Sequence, residues 1–196
     1  MDDHHAEVSE SRIFFFEEQE VVVDDFDSPG YILDVGGGGE GIIGRLKGEQ
    51  VVAIDPSKRE LEESAAGPLK VVMDARDLKF LDESFETVTL FFTLMYIQGC
   101  DHEKVFSEVF RVLVPGGQVL IWEVNFPRRL DEDRDVAVFL LSVKLLDQEI
   151  NTGYGALWPE EEQDLSYYLR LAGKAGFDVV EQRENGRVLF LKLQKS

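Results

Sequence analysis

Basic residues are scarce in this chain. Lys and Arg total 20 against 39 Asp and Glu over 196 residues, a formal net charge of −19. A surface of that sign repels phosphate, which argues against nucleic acid and anionic membranes as partners. Cysteine is nearly absent. With Cys100 alone, no intrachain disulfide can form and a reducing compartment is expected. Histidine is almost as rare, and His4 and His5 stand in a polar N-terminal stretch with no cysteine near, so no metal is expected. No apolar run approaches the ~20 residues of a membrane span. No basic stretch followed by an apolar one opens the sequence. Together these absences predict a cytoplasmic protein, long enough to bury a core without staples.

What the chain does have is an apolar strand that runs into glycine. Tyr31-Ile32-Leu33-Asp34-Val35 leads to Gly36-Gly37-Gly38-Gly39-Glu40-Gly41, and the helix-like Ile42-Ile43-Gly44-Arg45-Leu46 follows. Glycine lets the backbone approach a ligand closely, and a helix start offers free N–H groups, so the pattern predicts a nucleotide-type cofactor site. The continuous apolar run Val51 to Ile54 predicts a strand buried on both faces, and further strands are expected at Lys70 to Met73, Phe85 to Phe92 and Gln118 to Trp122. Helices are expected from Ser57 to about Ala66 behind a capping box, and from a cap at Asp101 through Val105, Val109 and Val112. Asn185-Gly186 between Phe177 to Gln182 and Val188 to Leu193 predicts an antiparallel hairpin.

The expected fold is therefore α/β: a Rossmann-like, doubly wound sheet of about seven strands, mostly parallel, with an antiparallel C-terminal hairpin. Residues 1–29 read as a tail and flap, with short apolar runs at Ile13 to Phe16 and Val21 to Val23. Residues 30–196 read as one domain, and 123–158 as an acceptor-side lid. Within that lid the apolar density of Asp135 to Ile150 predicts a helix, Asn151 to Trp158 a loop, and Pro159 the start of the next helix.

Three successive strands end on Asp34, Asp55 and Asp74. Strand C-termini border the ligand crevice of such a sheet. Carboxylates there suit hydroxyls, an ammonium or an exocyclic amine, and do not suit a triphosphate. Gly36, Gly38 and Gly41 also satisfy G-x-G-x-x-G, with Asp55 fourteen residues on, so a dinucleotide competes; Asp34 would then face its pyrophosphate.

These residues resemble the class I S-adenosylmethionine-dependent methyltransferases, of the small-molecule "type 11" sort, over roughly residues 30–125. Asp34, Gly36 and Gly38 match the acid-x-G-x-G-x-G motif, with Glu40 where the third glycine usually stands. Asp82-Glu83-Ser84-Phe85-Glu86 resembles D-x-S-F-D, and Glu108 through Gly117 resembles E-x-x-R-V-L-K-P-G-G. The resemblance implies S-adenosylmethionine as cofactor. It implies Asp34 toward the ammonium, Gly36 and Gly38 beneath the ligand, Asp55 on the ribose, Asp74 and Ala75 on the adenine, and Phe91 bordering the site. It also implies methyl transfer, an in-line displacement in which the enzyme chiefly orients the acceptor.

The acceptor end is less marked. Met95-Tyr96 stands where many relatives have two histidines, and neither N-P-P-Y nor D-P-P-Y is present. Glu123, Asn125 and Tyr96 are the candidate catalytic residues, with Tyr154 and Trp158 as possible walls. His102 is expected at a surface helix start. Arg128-Arg129 is offset by Asp131-Glu132-Asp133. The expected partner is a small-molecule acceptor under a helical lid over an apolar pocket. The alternatives are a non-catalytic module that binds the cofactor and, more remotely, a nicotinamide-dependent reductase.

Overall fold

A computed structural model describes residues 10–129 and 133–196. His4, His5, Asp131 and Glu132 lie outside that range. Strand β1 (Ile13–Val22) belongs to a small sheet considered below. The main sheet contains β2 (Ile32–Val35), β3 (Val51–Asp55), β4 (Leu69–Val72), β5 (Phe85–Phe91) and β6 (Leu113–Val124). Two later strands, β9 (Phe177–Asn185) and β10 (Val188–Lys195), complete it in the order β4-β3-β2-β5-β6-β10-β9. The first five run parallel, and β10 is antiparallel to both β6 and β9. Gly186 opens the last hairpin turn at φ 61, a left-handed position that glycine adopts without strain.

The sheet's inner strands are buried on both faces while the edge strands β4 and β9 are largely exposed, and the period of two sorts the side chains. Leu33, Val35, Val88, Leu90, Val119, Ile121, Leu189 and Leu191 face one layer. There they meet α3 (Gly99–Val112) and α4 (Leu165–Ala175) through Val105, Val109, Tyr168 and Leu171. Ile32, Val51, Ala53, Phe91, Leu120, Trp122 and Phe190 face the opposite layer. That layer holds Ile42 and Ile43 of α1 (Ile42–Lys47) and Leu61 of α2 (Lys58–Glu63).

The second layer also contains the three-stranded sheet, β1-β7-β8, with β7 at Val136–Lys144 and β8 at Glu149–Leu157. β1 pairs with β7 in parallel and β7 with β8 antiparallel. The helix expected from Asp135 to Ile150 is thus a strand and the start of its hairpin partner. Alternate residues Ala137, Phe139, Leu141 and Val143 are fully buried against the main sheet, a strand period. The two apolar runs of the expected flap are one strand. Two helix starts also move. Asp101 lies in the first turn of α3 behind an N-cap at Gln98, and its carboxylate takes a hydrogen bond from Arg76 at 2.8 Å. α4 begins at Leu165 rather than Pro159, where Asp164 accepts from the Tyr167 N–H at 2.8 Å.

Phe139 is the keystone of the small sheet. Its ring stacks on Phe16 at 4.5 Å and meets Phe126 edge-on at 5.0 Å. Phe139→Ala is expected to cost about 3–5 kcal/mol in urea unfolding with an unchanged slope. A loss below about 1 kcal/mol would show that this sheet is not packed into the core.

Candidate active site

Parallel pairing sets Asp34 between Ala53 of β3 and Thr89 of β5 at the C-terminal edge of the sheet. Asp34 is 2% exposed, and Thr89 Oγ1 donates to its Oδ1 at 2.7 Å. Burial pushes its carboxyl up to about 7. The chain then turns over it. A Cβ on Gly37 would lie 2.6 Å from Asp34 Oδ2, so a side chain there has no room. Gly36 takes φ 76, and a Cβ on it would meet Thr93 Oγ1 at 2.5 Å.

The glycine loop spends its N–H groups on the protein itself. Those of Gly36 and Gly37 donate to the Ile54 carbonyl, that of Gly39 to Glu60 and that of Gly41 to Gly38. The Gly38 N–H faces the Asp55 carboxylate. These N–H groups of the loop are therefore not free for a ligand, and the helix start expected to offer free ones belongs to α1, which is only six residues long. A loop of this kind does not cradle a pyrophosphate, which requires N–H groups aimed at it. Gly38 is also fixed by internal packing, because its Cβ would lie 2.6 Å from Glu60 Cβ.

Asp55 is half-buried at the end of β3 and accepts from the Ser57 N–H at 2.7 Å. Burial raises its carboxyl above the ordinary value. Asp74 follows β4, but Arg76 holds its carboxylate at 2.7–3.1 Å and keeps it below the usual range. Asp34, Gly36, Gly38, Asp55, Asp74, Ala75 and Phe91 all line one cleft of about 930 Å³. So do Glu40, Glu60, Glu63, Tyr96, Gln98 and Tyr154. Arg76 is the one cation among the described residues that line it, and Asp74 and Asp101 already pair with it.

The candidates at the reaction end separate. Tyr96 lines the cleft. Glu123 is fully buried beneath it and accepts from the N–H groups of Leu94, Met95 and Val124 at 2.8, 3.2 and 3.0 Å. Burial raises its carboxyl to about 7. Asn125 donates its backbone N–H to Arg187 O and does not line the cleft. Trp158 also sits away from it, against Phe14 and Phe16 with its indole N–H on Pro127 O. Tyr154 is a wall: its hydroxyl donates to Glu40 Oε2 at 2.9 Å, and its ring lies 5.5 Å from Phe92. Burial, with Glu40 beside it, raises the Tyr154 phenol above its ordinary value.

Sequence reasoning missed Thr89 and Thr93. Strand register sets Thr89 beside Asp34, and Thr93, just past the end of β5, ties to Val35 O beneath the glycine loop. Glu40, noticed as a departure from the glycine motif, joins the loop to β8 through Thr152 and Tyr154. His102, expected at the surface, is fully buried. It lies three residues before Val105 and seven before Val109, on the face of α3 that packs into the core.

A carboxylate whose folded-state pKa is raised binds its proton more tightly when folded. Its stabilising contribution is fully present below the unfolded value and is lost as pH rises through the folded one. For Asp34 and Glu123 that window runs from about pH 4 to about 7. His102, lowered by burial, acts in the opposite sense in part of the same window. The comparison of wild type with Asp34→Asn isolates the first group. Between pH 5 and 8, the ligand-free wild type should lose about 2 kcal/mol more urea stability than the variant, within the ~1.4 kcal/mol per unit available. Parallel pH profiles would contradict the assignment.

The methyltransferase domain family profile matches residues 33–121. Among curated relatives, a demethylmenaquinone methyltransferase of Clavibacter sepedonicus is 36% identical over 67% of this chain and 59% of its own length. The chain thus spans about three fifths of that relative. A phosphatidylethanolamine N-methyltransferase of Cereibacter sphaeroides is 39% identical over 33% of this chain and 32% of that one. Among solved structures, an S-adenosylmethionine-dependent methyltransferase of Methanosarcina mazei shares the fold at TM-score 0.63 and 18% identity, covering 87% of this chain and 94% of its own. The matched segment runs from β2 to β6 and includes the glycine loop and all three strand-end acids, and the fold closes with the same mixed sheet. The chain belongs to the class I S-adenosylmethionine-dependent methyltransferases.

Proposed function

We propose that this chain transfers a methyl group from S-adenosylmethionine to a small acceptor that is uncharged or cationic. The observation that carries the reading is the cleft itself. It is lined by six carboxylates and one already-paired cation, under a glycine loop with its N–H groups turned inward. That donor set fits a ligand bearing an ammonium, a sulfonium, ribose hydroxyls and an adenine amine, and it repels a pyrophosphate.

In this reading the buried Asp34 carboxylate faces the ammonium of the amino-acid end. Asp55 accepts from the ribose hydroxyls, and Ala75 and Asp74 border the adenine, with Asp74 shared with Arg76. Gly36 and Gly38 leave the floor bare, and Phe91 closes the side. When bound, S-adenosylmethionine supplies a methyl group already activated by the positive charge on sulfur. The remaining work falls to orientation and water exclusion.

The acceptor side is the space between Tyr96 and Tyr154, whose rings lie 6.5 Å apart. The β7–β8 hairpin acts as its lid, a β-lid where the sequence suggested a helical one. Its polar groups are the two phenol hydroxyls and Glu40. Glu123 and Asn125 lie outside the lining, so neither is assigned a proton-transfer role. Acceptors named for the curated relatives, a demethylated menaquinone and an ethanolamine phospholipid, offer ring and amine chemistry to be tried here. An acceptor led by phosphate would meet the carboxylates of the cleft.

Calorimetry tests the cofactor half. S-adenosylmethionine and its demethylated product, S-adenosylhomocysteine, should bind, and NADH should not. Asp55→Ala should weaken binding by roughly 2–4 kcal/mol, as when ligand hydroxyls lose a charged acceptor. An ammonium beside Asp34 favours its ionised form, so binding near pH 6.5 should release a proton in wild type and not in Asp34→Asn. Tight NADH binding with none of the sulfonium ligand would overturn the reading. Methyl transfer is then scored against quinols, phenols, amines and phosphorylated compounds. Cofactor binding without transfer to any of them would favour a non-catalytic binding module.

A further inference from the structure

Phe92 has φ 49, a left-handed backbone conformation that an aromatic side chain adopts at a cost. Such a residue persists where its surroundings over-determine it. It opens the segment 92–97, which leaves β5 at the middle of the sheet edge and contains a 3-10 turn at Leu94–Tyr96. The start of the segment is fixed twice: the Phe92 N–H donates to Trp122 O at 2.8 Å, and Thr93 Oγ1 donates to Val35 O at 2.8 Å.

The turn itself is gripped by two buried ionisable side chains from two other elements. From β6, Glu123 Oε2 accepts from the Leu94 and Met95 N–H groups at 2.8 and 3.2 Å. From α3, His102 Nε2 lies 3.0 Å from Leu94 O and 3.1 Å from Ile97 O. Carbonyls only accept, so Nε2 carries the proton, and Nδ1 at 2.9 Å accepts from the Tyr167 hydroxyl. One side chain therefore takes the donors of the turn and the other its acceptors. Both are fully buried, and neither lines the cleft. Burying a carboxylate and an imidazole is an expensive way to cap one turn, for which a serine or asparagine suffices. The far side of the turn presents Tyr96, Ile97 and Gln98 to the cleft.

We infer that Glu123 and His102 are positioning residues for the methyl-transfer site, which hold the 94–97 turn so that Tyr96, Ile97 and Gln98 stand ready against the ligand. The inference rests on the proposed reading of the cleft. It gives the buried acid a role other than proton transfer. It also gives a role to the one histidine among the described residues.

The test uses the full chain and S-adenosylhomocysteine as probe. His102→Gln retains an amide donor for the two carbonyls, and His102→Leu does not. Glu123→Gln retains an acceptor on one side only. Three measurements are made: thermal unfolding, hydrogen exchange at the Leu94 and Met95 amides, and probe affinity by calorimetry. In His102→Leu, the two amides should exchange at least about tenfold faster and the probe should bind at least about tenfold more weakly, while unfolding stays cooperative. His102→Gln should recover most of both. Should His102→Leu not fold, Glu123→Gln against His102→Gln makes the same comparison. Probe affinity within twofold of wild type in a folded His102→Leu or Glu123→Gln would overturn the inference and leave a purely structural role. Absence of probe binding by wild type would instead overturn the reading of the cleft, and the inference with it.

Discussion

A carboxylate buried beneath a turn of glycines is the constraint around which the rest of this site is arranged. Asp34 lies at the centre of a parallel sheet with a threonine hydroxyl as its hydrogen-bond donor. Burial raises its carboxyl to about 7, and when ionised it has no cation beside it among the described ion pairs. A charge placed this way is costly unless something arrives to compensate it. The turn above must also be free of side chains, since Gly36 would strike Thr93 and Gly37 would strike Asp34 itself. Thr93 is in turn the residue that ties the β5 exit to the β2 end through Val35 O. The acid, the glycines and the exit turn of the neighbouring strand are one packing solution. A ligand with a positive group completes it.

Much of the main sheet could be read from the chain because each strand carries the same instruction twice. The continuous apolar run of Val51 to Ile54 requires burial on both faces. The acids and glycines that follow mark where the strands stop. The C-terminal hairpin could be read from its turn, with Asn185-Gly186 between two strand-forming runs. The three acids that line the cleft, Asp34, Asp55 and Asp74, were likewise visible at the strand ends. What the sequence did not disclose was occupancy: Arg76 already holds Asp74, and most of the loop's N–H groups are bonded within the protein. Those are facts of three-dimensional pairing between residues whose separation in the chain says nothing.

The small sheet was misread for a physical reason. β7 carries apolar residues on both faces: Ala137, Phe139, Leu141 and Val143 inward, Val138 and Leu140 outward. Density without alternation does not distinguish a strand from a buried helix. The β-branched Val136, Val138 and Val143 were the remaining signal. Its parallel partner, β1, lies more than a hundred residues away, with Ile13 opposite Val136. No local turn announces such a pairing. His102 failed on a smaller scale. His102 lies three residues before Val105 and seven before Val109, so within α3 it shares their buried face, and a histidine expected in water is part of the core.

A β-hairpin in place of the expected helix changes what flanks the cleft, where Gly153 and Tyr154 of β8 line it. A helix over the site would be placed by packing alone. Here the small sheet is placed by packing of Phe16 and Phe139 in the layer that holds Phe91 and Trp122, and also by a polar link from Glu40 to Thr152 and Tyr154. The link starts in the glycine loop, at the position where the family usually has another glycine. A glycine there would lack the side-chain bonds that tie the loop to β8. A glutamate makes them share hydrogen bonds. Scaffold and graft are distinct in most folds of this kind, with function residing in the graft. In this chain the departure from the motif is the residue that joins them.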